Sequence, residues 1–315
     1  MEVLLLKSIL VYGFYYKGNL GDNLFIEAFQ NMFPEYSFIF TDKITNELLK
    51  ETSAVFFGGG SFLFSAPDIE DLELLKTKSI FYIGVGAETD IHPIHKELIK
   101  ISKLIALRSN SKLDYIKSLH KNVIVIPDIV MSLQDKVKIS KRIDKSVLIL
   151  PNISVVPTYD EPYWRHTSWN YFKVEFSQFL DYLIDNNYKV NFLAFCQGTK
   201  ANDSFAAIEI INLMKNKINI LNNKIDNISD ITSIISRYSL VISQRFHGAI
   251  LSDMTQTSNI IISHHDKLKN YGNHLSYYGI SKQLLINNLN ADKPSLPIYT
   301  DIFAELKLKV NDLIG

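Results

Sequence analysis

The sequence predicts an α/β protein of two domains, and three observations support this prediction. The chain has 315 residues, whereas a single domain usually has about 100–200. Short apolar runs alternate with helix-like stretches along the chain, as in parallel sheets whose strands are connected by helices. A polar, lysine-rich stretch at residues 134–145 interrupts this alternation. We therefore place the domains at residues 1–140 and 141–315.

The first half begins with a predicted strand at residues 7–13 and an amphipathic helix at residues 24–33. The later strands are short, rich in β-branched and aromatic residues, and bounded by glycine, proline or polar residues. They are expected at residues 37–41, 54–57, 80–85, 103–107 and 123–126. Because helical stretches separate several of them, the pattern favours parallel βαβ units in a doubly wound sheet.

The second half continues the alternation with a second set of elements. Strands are expected at residues 147–150, 189–194, 218–221, 240–243 and 259–262. Helices are expected at residues 169–185, 203–215, 229–237 and 246–254. A final helix at residues 299–313 could return to pack on the first domain. Two Rossmann-like domains facing a cleft are the coherent interpretation, and ligands of such sheets bind beyond the carboxyl ends of the strands.

The composition argues against several classes of function. Lysine plus arginine and aspartate plus glutamate both number 33, so the chain lacks the basic excess of a nucleic-acid or anionic-membrane binder. No apolar run approaches the ~20 residues of a membrane span. With one cysteine, Cys196, and a start wrongly charged for a signal peptide, we expect no disulfide, no thiolate metal cluster and a cytoplasmic location. Nothing in the sequence indicates an oligomeric state.

Two glycine-containing loops follow predicted strands. In residues 18–22, Asn19 and Asp22 stand before a helix, whose N-terminus favours an anion or a polar ligand. Asp22 either caps this helix or acts on a hydroxyl, and its spacing alone favours the cap. At residues 58–61, three glycines and Ser61 form either a backbone nest for an anion or a sharp turn without a ligand.

Arginine is scarce, so an arginine at the end of a strand is informative. Arg108 could clamp a carboxylate or phosphate, or it could form a surface salt bridge. Arg245 and His247 place a cation beside a titratable group where a strand ends and a helix begins, which suits an anionic substrate that gains or loses a proton. A structural role is the alternative for His247, but Arg245 and Gly248 beside it favour function.

Another cluster of polar residues follows the late strand of the second half. His264 and His265 are adjacent, but successive side chains point apart and no third ligand is evident at helical spacing, so we expect no metal site. Lys267 is expected to supply a second cation to the cleft.

An aromatic segment at residues 157–169 contains both tryptophans of the chain. We interpret it as an exposed loop that offers Trp164, Arg165 and Trp169 to a sugar ring. Packing between the two domains is the alternative explanation for these aromatic side chains.

Together these motifs resemble the polysaccharide pyruvyl transferase family. The resemblance rests on residues 18–22, residues 58–61, Arg108 with Ser111, residues 245–248, Pro127 with Asp128, and Asp266 with Lys267. It covers most of the chain. It implies a fold similar to that of GT-B glycosyltransferases and transfer of pyruvate from phosphoenolpyruvate to two hydroxyls of a sugar. The product would be a cyclic ketal, and neither a metal nor another cofactor is inherent to this chemistry.

With the chemistry that the resemblance implies, the residues themselves suggest a role for each candidate, and the acceptor contacts are not carried over from the family. His247 would protonate the donor's methylene carbon, Arg245 would hold the donor, and Asp22 would orient or deprotonate an acceptor hydroxyl. Further donor contacts are expected from Arg108, Lys267, Asn19, Gly59, Gly60 and Ser61. The acceptor is expected at Trp164, Arg165 and Trp169. Two other functions stay open: a nucleotide-sugar-dependent GT-B glycosyltransferase, and a non-catalytic glycan-binding protein of the same fold.

Overall fold

The computed structural model describes residues 7–199, 201–221, 225, 227–290 and 299–314. The chain divides into two compact units. The first unit comprises Met1–Tyr16, Asp22–Asp135 and Ile298–Gly315. The second comprises Lys17–Gly21 and Lys136–Pro297. A short strip from near the start of the chain therefore belongs with the second unit, and the C-terminal helix belongs with the first.

The first unit is built on a parallel sheet. Its strands are β1 (Ser8–Tyr12), β2 (Ser37–Thr41), β3 (Ala54–Gly60), β4 (Ser79–Val85), β5 (Leu104–Leu107) and β6 (Val123–Val125). Its helices begin with α1 (Leu20–Met32), α2 (Asn46–Glu51), α3 (Leu72–Lys76), α4 (Pro93–Ile101) and α5 (Leu113–Leu119). The strand order is β2-β1-β3-β4-β5-β6. A 3₁₀ helix at Ile129–Lys136 leads to the boundary of the unit.

The central strands of this sheet are apolar along nearly their whole length because helices cover both faces. All seven residues of β3 are buried. Phe29 of α1 and Phe33, which follows the end of that helix, pack on Phe56, with ring centroids 6.0 Å away in each case. On β4, the Tyr82 hydroxyl lies 3.0 Å from Nδ1 of the buried His95 on α4. The aromatic core therefore includes one polar contact between sheet and helix.

The second unit is built on another parallel sheet. Its strands are β7 (Ile143–Leu150), β8 (Lys189–Leu193), β9 (Asn219–Leu221), β10 (Tyr238–Ser243), β11 (Ser258–Ser263) and β12 (His274–Ser276). Its helices are α6 (Tyr163–Asp185), α7 (Asp203–Ile211), α8 (Ile228–Ile235), α9 (Phe246–Met254), α10 (Asp266–Lys269) and α11 (Lys282–Asn287). The strand order is β12-β11-β10-β7-β8-β9.

The two sheets differ in topology. The order of the first is flavodoxin-like, extended by one strand, and its order reverses between β1 and β3. Counted from β7, the second sheet has the order 6-5-4-1-2-3, which is the order of dinucleotide-binding Rossmann folds. Its order reverses between β7 and β10. Ligands of open α/β sheets bind beyond the carboxyl ends of the strands at such a reversal, so a ligand site is expected at each of these two places.

The C-terminal helix α12 (Thr300–Ile314) packs within the first unit. Its Asn311 Nδ2 donates to Glu35 Oε1 at 2.6 Å, and the Tyr36 hydroxyl donates to Asn311 Oδ1 at 3.0 Å. Lys307 forms a 3.0 Å ion pair with Glu35. Polar contacts with the turn after α1 thus hold the end of the chain in the first unit.

Two parallel six-stranded sheets with alternating helices confirm the predicted fold class. Strand β2 and helix α9 have the bounds that the sequence predicts. Other bounds differ, and the glycines at the end of β3 differ most. They were expected to form a loop, but Gly58 and Gly60 still pair with β4. Glycine is needed at these residues because Phe29 and Phe25 of α1 occupy the space that side chains at residues 58 and 59 would fill.

The aromatic segment in the second half also differs from its prediction as an exposed loop. Helix α6 begins at Tyr163. Pro162 stands at its N-cap, where a residue without an N–H is tolerated and the fixed φ suits the entry of the chain. The helix places Trp169, Phe172 and Phe176 at spacings of three and four residues, so one face joins the hydrophobic core.

Helix α5 begins without a side-chain cap. Its N-cap is Lys112, in the left-handed region with φ of 53°, rather than Ser111. Similarly, α1 begins at Leu20, so Asp22 lies in its first turn and does not cap it. Within the described residues, no helix is both long enough and apolar enough to cross a membrane.

Candidate functional site

The candidate site of the second unit lies where the order of its sheet reverses. The loop after β7 contains Asn152, and the loop after the neighbouring strand β10 contains Gln244 and Arg245. The two loops are joined by hydrogen bonds. The backbone N–H of Asn152 donates to Gln244 Oε1 at 3.1 Å, and that of Gln244 donates to the Leu150 carbonyl at 2.9 Å. These hydrogen bonds fix the backbone at the residue before Arg245.

Asp203 holds the side chain of Arg245. Arg245 Nε donates to Asp203 Oδ2 at 2.9 Å, and its Nη2 donates to Asp203 Oδ1. The same carboxylate accepts from the backbone N–H groups of Ile153 at 2.9 Å and Cys196 at 2.8 Å. Asp203 is fully buried, whereas the Arg245 side chain is 17% exposed. A bidentate pair of this kind fixes the direction of the guanidinium while its outer edge stays accessible.

The chain turns from β10 into α9 at Arg245. The Ser243 hydroxyl donates to the Arg245 carbonyl at 2.8 Å and accepts from its N–H at 3.1 Å. A Cβ at Gly248 would lie 2.3 Å from the Ser243 oxygen, so glycine is required there. Arg245 is the N-cap of α9, but its side chain does not cap the helix. The positive end of the helix dipole thus adds to the charge of Arg245.

His247 lies in the first turn of α9 and is backed by the strip that comes from near the start of the chain. In this strip, Leu20 N–H donates to the Phe195 carbonyl at 2.9 Å, and Asn19 forms an antiparallel bridge with Cys196. A Cβ at Gly21 would lie 2.1 Å from His247 Nδ1. Glycine at residue 21 therefore allows the imidazole to lie against the backbone. This contact brings together the motifs at residues 18–22 and 245–248.

Lys267 lies beside the same turn. Its Nζ is 4.6 Å from the centroid of the Phe246 ring, and Phe246 stands between Arg245 and His247. The Phe246 ring also contacts Tyr271 edge-on, with centroids 5.3 Å apart. A cation thus lies beside the turn that carries Arg245, and its role in donor binding stays a prediction.

The candidate site of the first unit is a buried ionic cluster around Arg108. Its guanidinium contacts Asp128 at 3.3 Å, Glu88 at 3.4 Å and the Ser61 hydroxyl. The Ser61 hydroxyl also donates to Glu88 at 2.9 Å. The Arg108 side chain is only 1% exposed, so its ion pairs are buried and the alternative of a surface salt bridge does not apply. A Cβ at Gly86 would lie 2.4 Å from Glu88 Oε2, and this glycine is needed for the cluster to close.

Asp22 and the end of β3 lie together in the same unit. A Cβ at Gly60 would meet Asp22 Oδ1 at 3.9 Å. Gly59 and Gly60 have φ of +70° and +95°, in the region that favours glycine. Packing against Phe25 explains glycine at residue 59, so anion binding is not needed to account for it. The donor roles of Gly59, Gly60, Ser61 and Asn19 stay predictions.

The three residues predicted to bind the acceptor have different surroundings. Trp164 is 55% exposed. Arg165 is partly buried; it pairs with Glu161 and donates to the Ser154 carbonyl at 2.7 Å. Trp169 is only 3% exposed, and its Nε1 donates to Glu209 at 2.8 Å. The expectation of an exposed Trp169 is therefore wrong, because this ring lies on the core face of α6.

Two acidic residues that contact the arginines of these sites, Asp203 and Glu88, were not predicted from the sequence. Asp203 follows Asn202, which caps α7 by accepting from Ser204 N–H, so it reads as an ordinary acidic residue of a first helical turn. Glu88 lies in a short connection after β4 without a recognisable motif. Their importance follows only from burial beside an arginine. The described residues contain no group of three or more His, Cys, Asp or Glu side chains placed to hold a metal ion.

Comparison with solved structures gives the class of fold. The UDP-GlcNAc 2-epimerase from Methanocaldococcus jannaschii has a TM-score of 0.57 at 9% identity, covering 98% of this chain and 98% of that chain. The enzyme of the same name from Rickettsia bellii has a TM-score of 0.57 at 10% identity, covering 98% and 97%. At such identities the likeness shows the fold alone. The chain thus has a GT-B-type fold.

The family follows from the sequence itself. The pattern of the polysaccharide pyruvyl transferase family matches residues 19–266. The chain therefore belongs to the polysaccharide pyruvyl transferase family. A comparison with curated proteins returns no match.

Proposed function

We propose that the protein transfers pyruvate from phosphoenolpyruvate to two hydroxyls of a sugar and forms a cyclic ketal. Family membership supports a transferase of this kind. The observation that carries the proposal is the position of Arg245. Its guanidinium is held by the buried Asp203 at the N-terminal end of α9, and His247 follows two residues later. A fixed cation and a titratable ring thus stand at the sheet reversal where a ligand is expected.

The donor carries a phosphate and a carboxylate on a three-carbon enol. Arg245 binds one of these anionic groups, and Lys267 and the amide groups of the first turn of α9 add attraction for the other. Because Asp203 fixes Arg245 before the donor arrives, little reorganisation accompanies binding. The sequence-based proposal gives Arg108 a further donor contact. In the described structure Arg108 is engaged by two carboxylates, so such a contact requires exchange of a partner.

The reaction then proceeds in two additions. His247, as imidazolium, gives its proton to the methylene carbon, and the adjacent carbon becomes electrophilic. One sugar hydroxyl adds to that carbon, and its proton returns to a base. The C–O bond to phosphate then breaks, and phosphate leaves with the bonding electrons. The second hydroxyl adds to the same carbon, and its proton passes to the His247 imidazole, which gave up its own proton in the first step. Asp22 is our candidate for the base that orients or deprotonates a hydroxyl.

The test is phosphate release from phosphoenolpyruvate in the presence of a panel of hexosides. His247→Ala is expected to reduce turnover by about 100- to 10,000-fold, the usual contribution of a positioned acid or base. The matched control is His274→Ala, which removes an exposed histidine of the same unit. Turnover by His247→Ala equal to that of the control would refute the assignment.

A thermal-shift screen separates this proposal from its two alternatives. Phosphoenolpyruvate should raise the melting temperature of the intact chain, because a ligand that binds only the folded state stabilises it. A shift with a nucleoside diphosphate but not with phosphoenolpyruvate would instead favour a nucleotide-sugar glycosyltransferase. A shift with glycans alone would favour a non-catalytic binding protein.

A further inference from the structure

A pocket in the second unit adjoins the candidate site but contains none of its charged residues. Its volume is about 260 Å³. Its lining includes Trp164, Arg165, Ser168, His264, Tyr277 and Tyr278. We call this the aromatic pocket. It is slightly smaller than drug-sized sites of about 300–1,000 Å³, which suits a ligand of one ring.

The walls of the aromatic pocket offer ring faces. Trp164 and Tyr278 are both 55% exposed, and their rings are tilted by 50° with centroids 6.3 Å apart. Tyr277 packs edge-on against Tyr278, with centroids 5.1 Å apart, and is itself buried. Exposed aromatic faces of this size in a concave site are suited to the apolar face of a ring ligand.

Two residues of the pocket also carry buried polar atoms that have no hydrogen-bond partner among the described residues. These atoms are Nδ1 of His264 and the hydroxyl oxygen of Tyr277. Buried polar groups are seldom left unsatisfied, since the loss of a hydrogen bond costs about 1–3 kcal/mol. A ligand that brings hydroxyl groups would satisfy both atoms.

The hydrogen bonds of Asn152 define which nitrogen of His264 carries the proton. Asn152 Oδ1 accepts from Ser154 N–H at 3.0 Å, so its other side-chain atom is the amide nitrogen. That nitrogen lies 3.2 Å from His264 Nε2 and can only donate. Nε2 is therefore the acceptor, and the neutral ring carries its proton on Nδ1. Burial, followed by the nearby positive charges, lowers the pKa of His264 to about 3, so the ring stays neutral.

The arginine that lines the pocket has its charge balanced by a carboxylate. Arg165 is paired with Glu161, and its Nη2 donates to the Ser154 carbonyl. His264 is neutral, and Tyr277 is too, because burial raises the pKa of Tyr277 well above its usual value. This distinguishes the aromatic pocket from the site at Arg245 and Lys267, where positive charge is available for an anion. The occupant should accordingly be uncharged.

The pocket is also connected to the catalytic turn. His264 contacts the Asn152 amide, and Asn152 is hydrogen-bonded to Gln244, the residue before Arg245. A ring held against His264 therefore lies on the side of the loops that present Arg245.

We infer that the aromatic pocket is the acceptor subsite and holds one uncharged pyranose ring, stacked on Trp164 or Tyr278 and hydrogen-bonded to His264 and Tyr277. This inference deepens the proposed function and rests on it for the word acceptor. Among the acceptor contacts expected from the sequence, Trp169 is excluded because its ring lies in the core, and His264, Tyr277 and Tyr278 are added. It also assigns anion recognition and sugar recognition to different parts of one unit.

The test measures binding of methyl hexopyranosides to the full chain without donor, by saturation-transfer NMR and calorimetry. Trp164→Ala should weaken binding by about tenfold or more, the effect of losing an aromatic anchor. Tyr277→Phe, which keeps the ring, should weaken it several-fold. Tyr171→Ala removes a half-exposed aromatic side chain of the same helix outside the pocket and should leave the dissociation constant unchanged.

The outcomes separate the subsite from the reaction. Sugar binding that survives in His247→Ala but is lost in Trp164→Ala supports the subsite, even if no variant transfers pyruvate. Normal KM for the acceptor in both Trp164→Ala and Tyr277→Phe, with pyruvate transfer intact, overturns the subsite and leaves the proposed function standing. Tighter binding of a methyl glucuronide or of uridine than of any neutral hexoside would also overturn it.

Discussion

The two units each place an arginine beyond a parallel strand, yet they treat its charge in opposite ways. Arg108 in the first unit is 1% exposed and contacts two carboxylates, Glu88 and Asp128. Arg245 in the second unit is 17% exposed and contacts one, Asp203. A cation surrounded by excess negative charge is suited to stabilising the fold of its own loops. A cation that is fixed from behind and open in front is suited to binding an anion.

The largest expected effects come from replacing these arginines by glutamine. Arg108→Gln should destabilise the protein by about 3–5 kcal/mol, because breaking a buried ion pair leaves a buried charge uncompensated. Arg245→Gln should lower turnover by about 100- to 1,000-fold, the cost of losing a preorganised electrostatic contact. Its effect on stability should be smaller, since Asp203 keeps two backbone N–H donors.

Denaturant unfolding and phosphate release would measure both variants. If Arg108→Gln and Arg245→Gln lowered the free energy of unfolding equally, the difference in burial between the two arginines would not affect stability. Full activity of Arg245→Gln would show that the exposed arginine is not the donor's partner.

A second comparison uses the glycines that lie against these groups. Gly21→Ala should reduce turnover by about 100-fold, because its Cβ would displace the His247 ring and small misplacements of a catalytic group are costly. Gly86→Ala should instead destabilise the first unit by about 1–3 kcal/mol through overpacking against Glu88 and Arg108. Gly279→Ala is the control, since its Cβ meets no described atom within 4 Å. Loss of activity without displacement of the His247 NMR signals in Gly21→Ala would contradict this explanation.

The smallest effects concern pH. In each unit the structure describes a histidine whose neutral form is favoured: burial lowers the pKa of His95 to about 4 and that of His264 to about 3. Between pH 6.5 and these values the unfolded chain binds a proton that the folded chain does not, so stability falls as pH falls. Each histidine should contribute a slope of about 1.4 kcal/mol per pH unit in that window.

His95→Gln and His264→Asn should each remove one of these slopes from unfolding curves recorded between pH 7 and pH 5. Unchanged slopes in both variants would show that these rings do not titrate as described. Because His264 stays neutral, affinity for the sugar should not change over the same range.

The sequence predicted the layers of the fold and the turn at Arg245 well, because both depend on local pattern. Apolar runs of four to eight residues mark buried strands whatever their neighbours. Strand order is different in kind. The reversal between β7 and β10 pairs strands that are far apart in the sequence, such as Val147 with Leu240, and no local pattern predicts that pairing.

The remaining errors arose where tertiary packing outweighs local preference. Glycines at residues 58 and 59 suggest a turn, yet β3 runs through both of them and the rings of α1 fill the space beside them. Trp169 suggests an aromatic platform, yet helical spacing places it with Phe172 and Phe176 in the core. Asp203 and Glu88 carry no motif. The role of Asp203 depends on Arg245, 42 residues later, and that of Glu88 depends on Arg108, 20 residues later.

The strip at Lys17–Gly21 has a consequence for how the protein is made. It supplies the backbone against which His247 rests, but it leaves the ribosome more than 200 residues earlier (~11 s or more at 5–20 residues per second). The second unit is therefore discontinuous, and its site can close only after most of the chain has been synthesised. A fragment starting at Lys136 would carry Arg245 and His247 without the wall behind them. Adding residues 17–21 back as a peptide would reveal how much of the site depends on that wall.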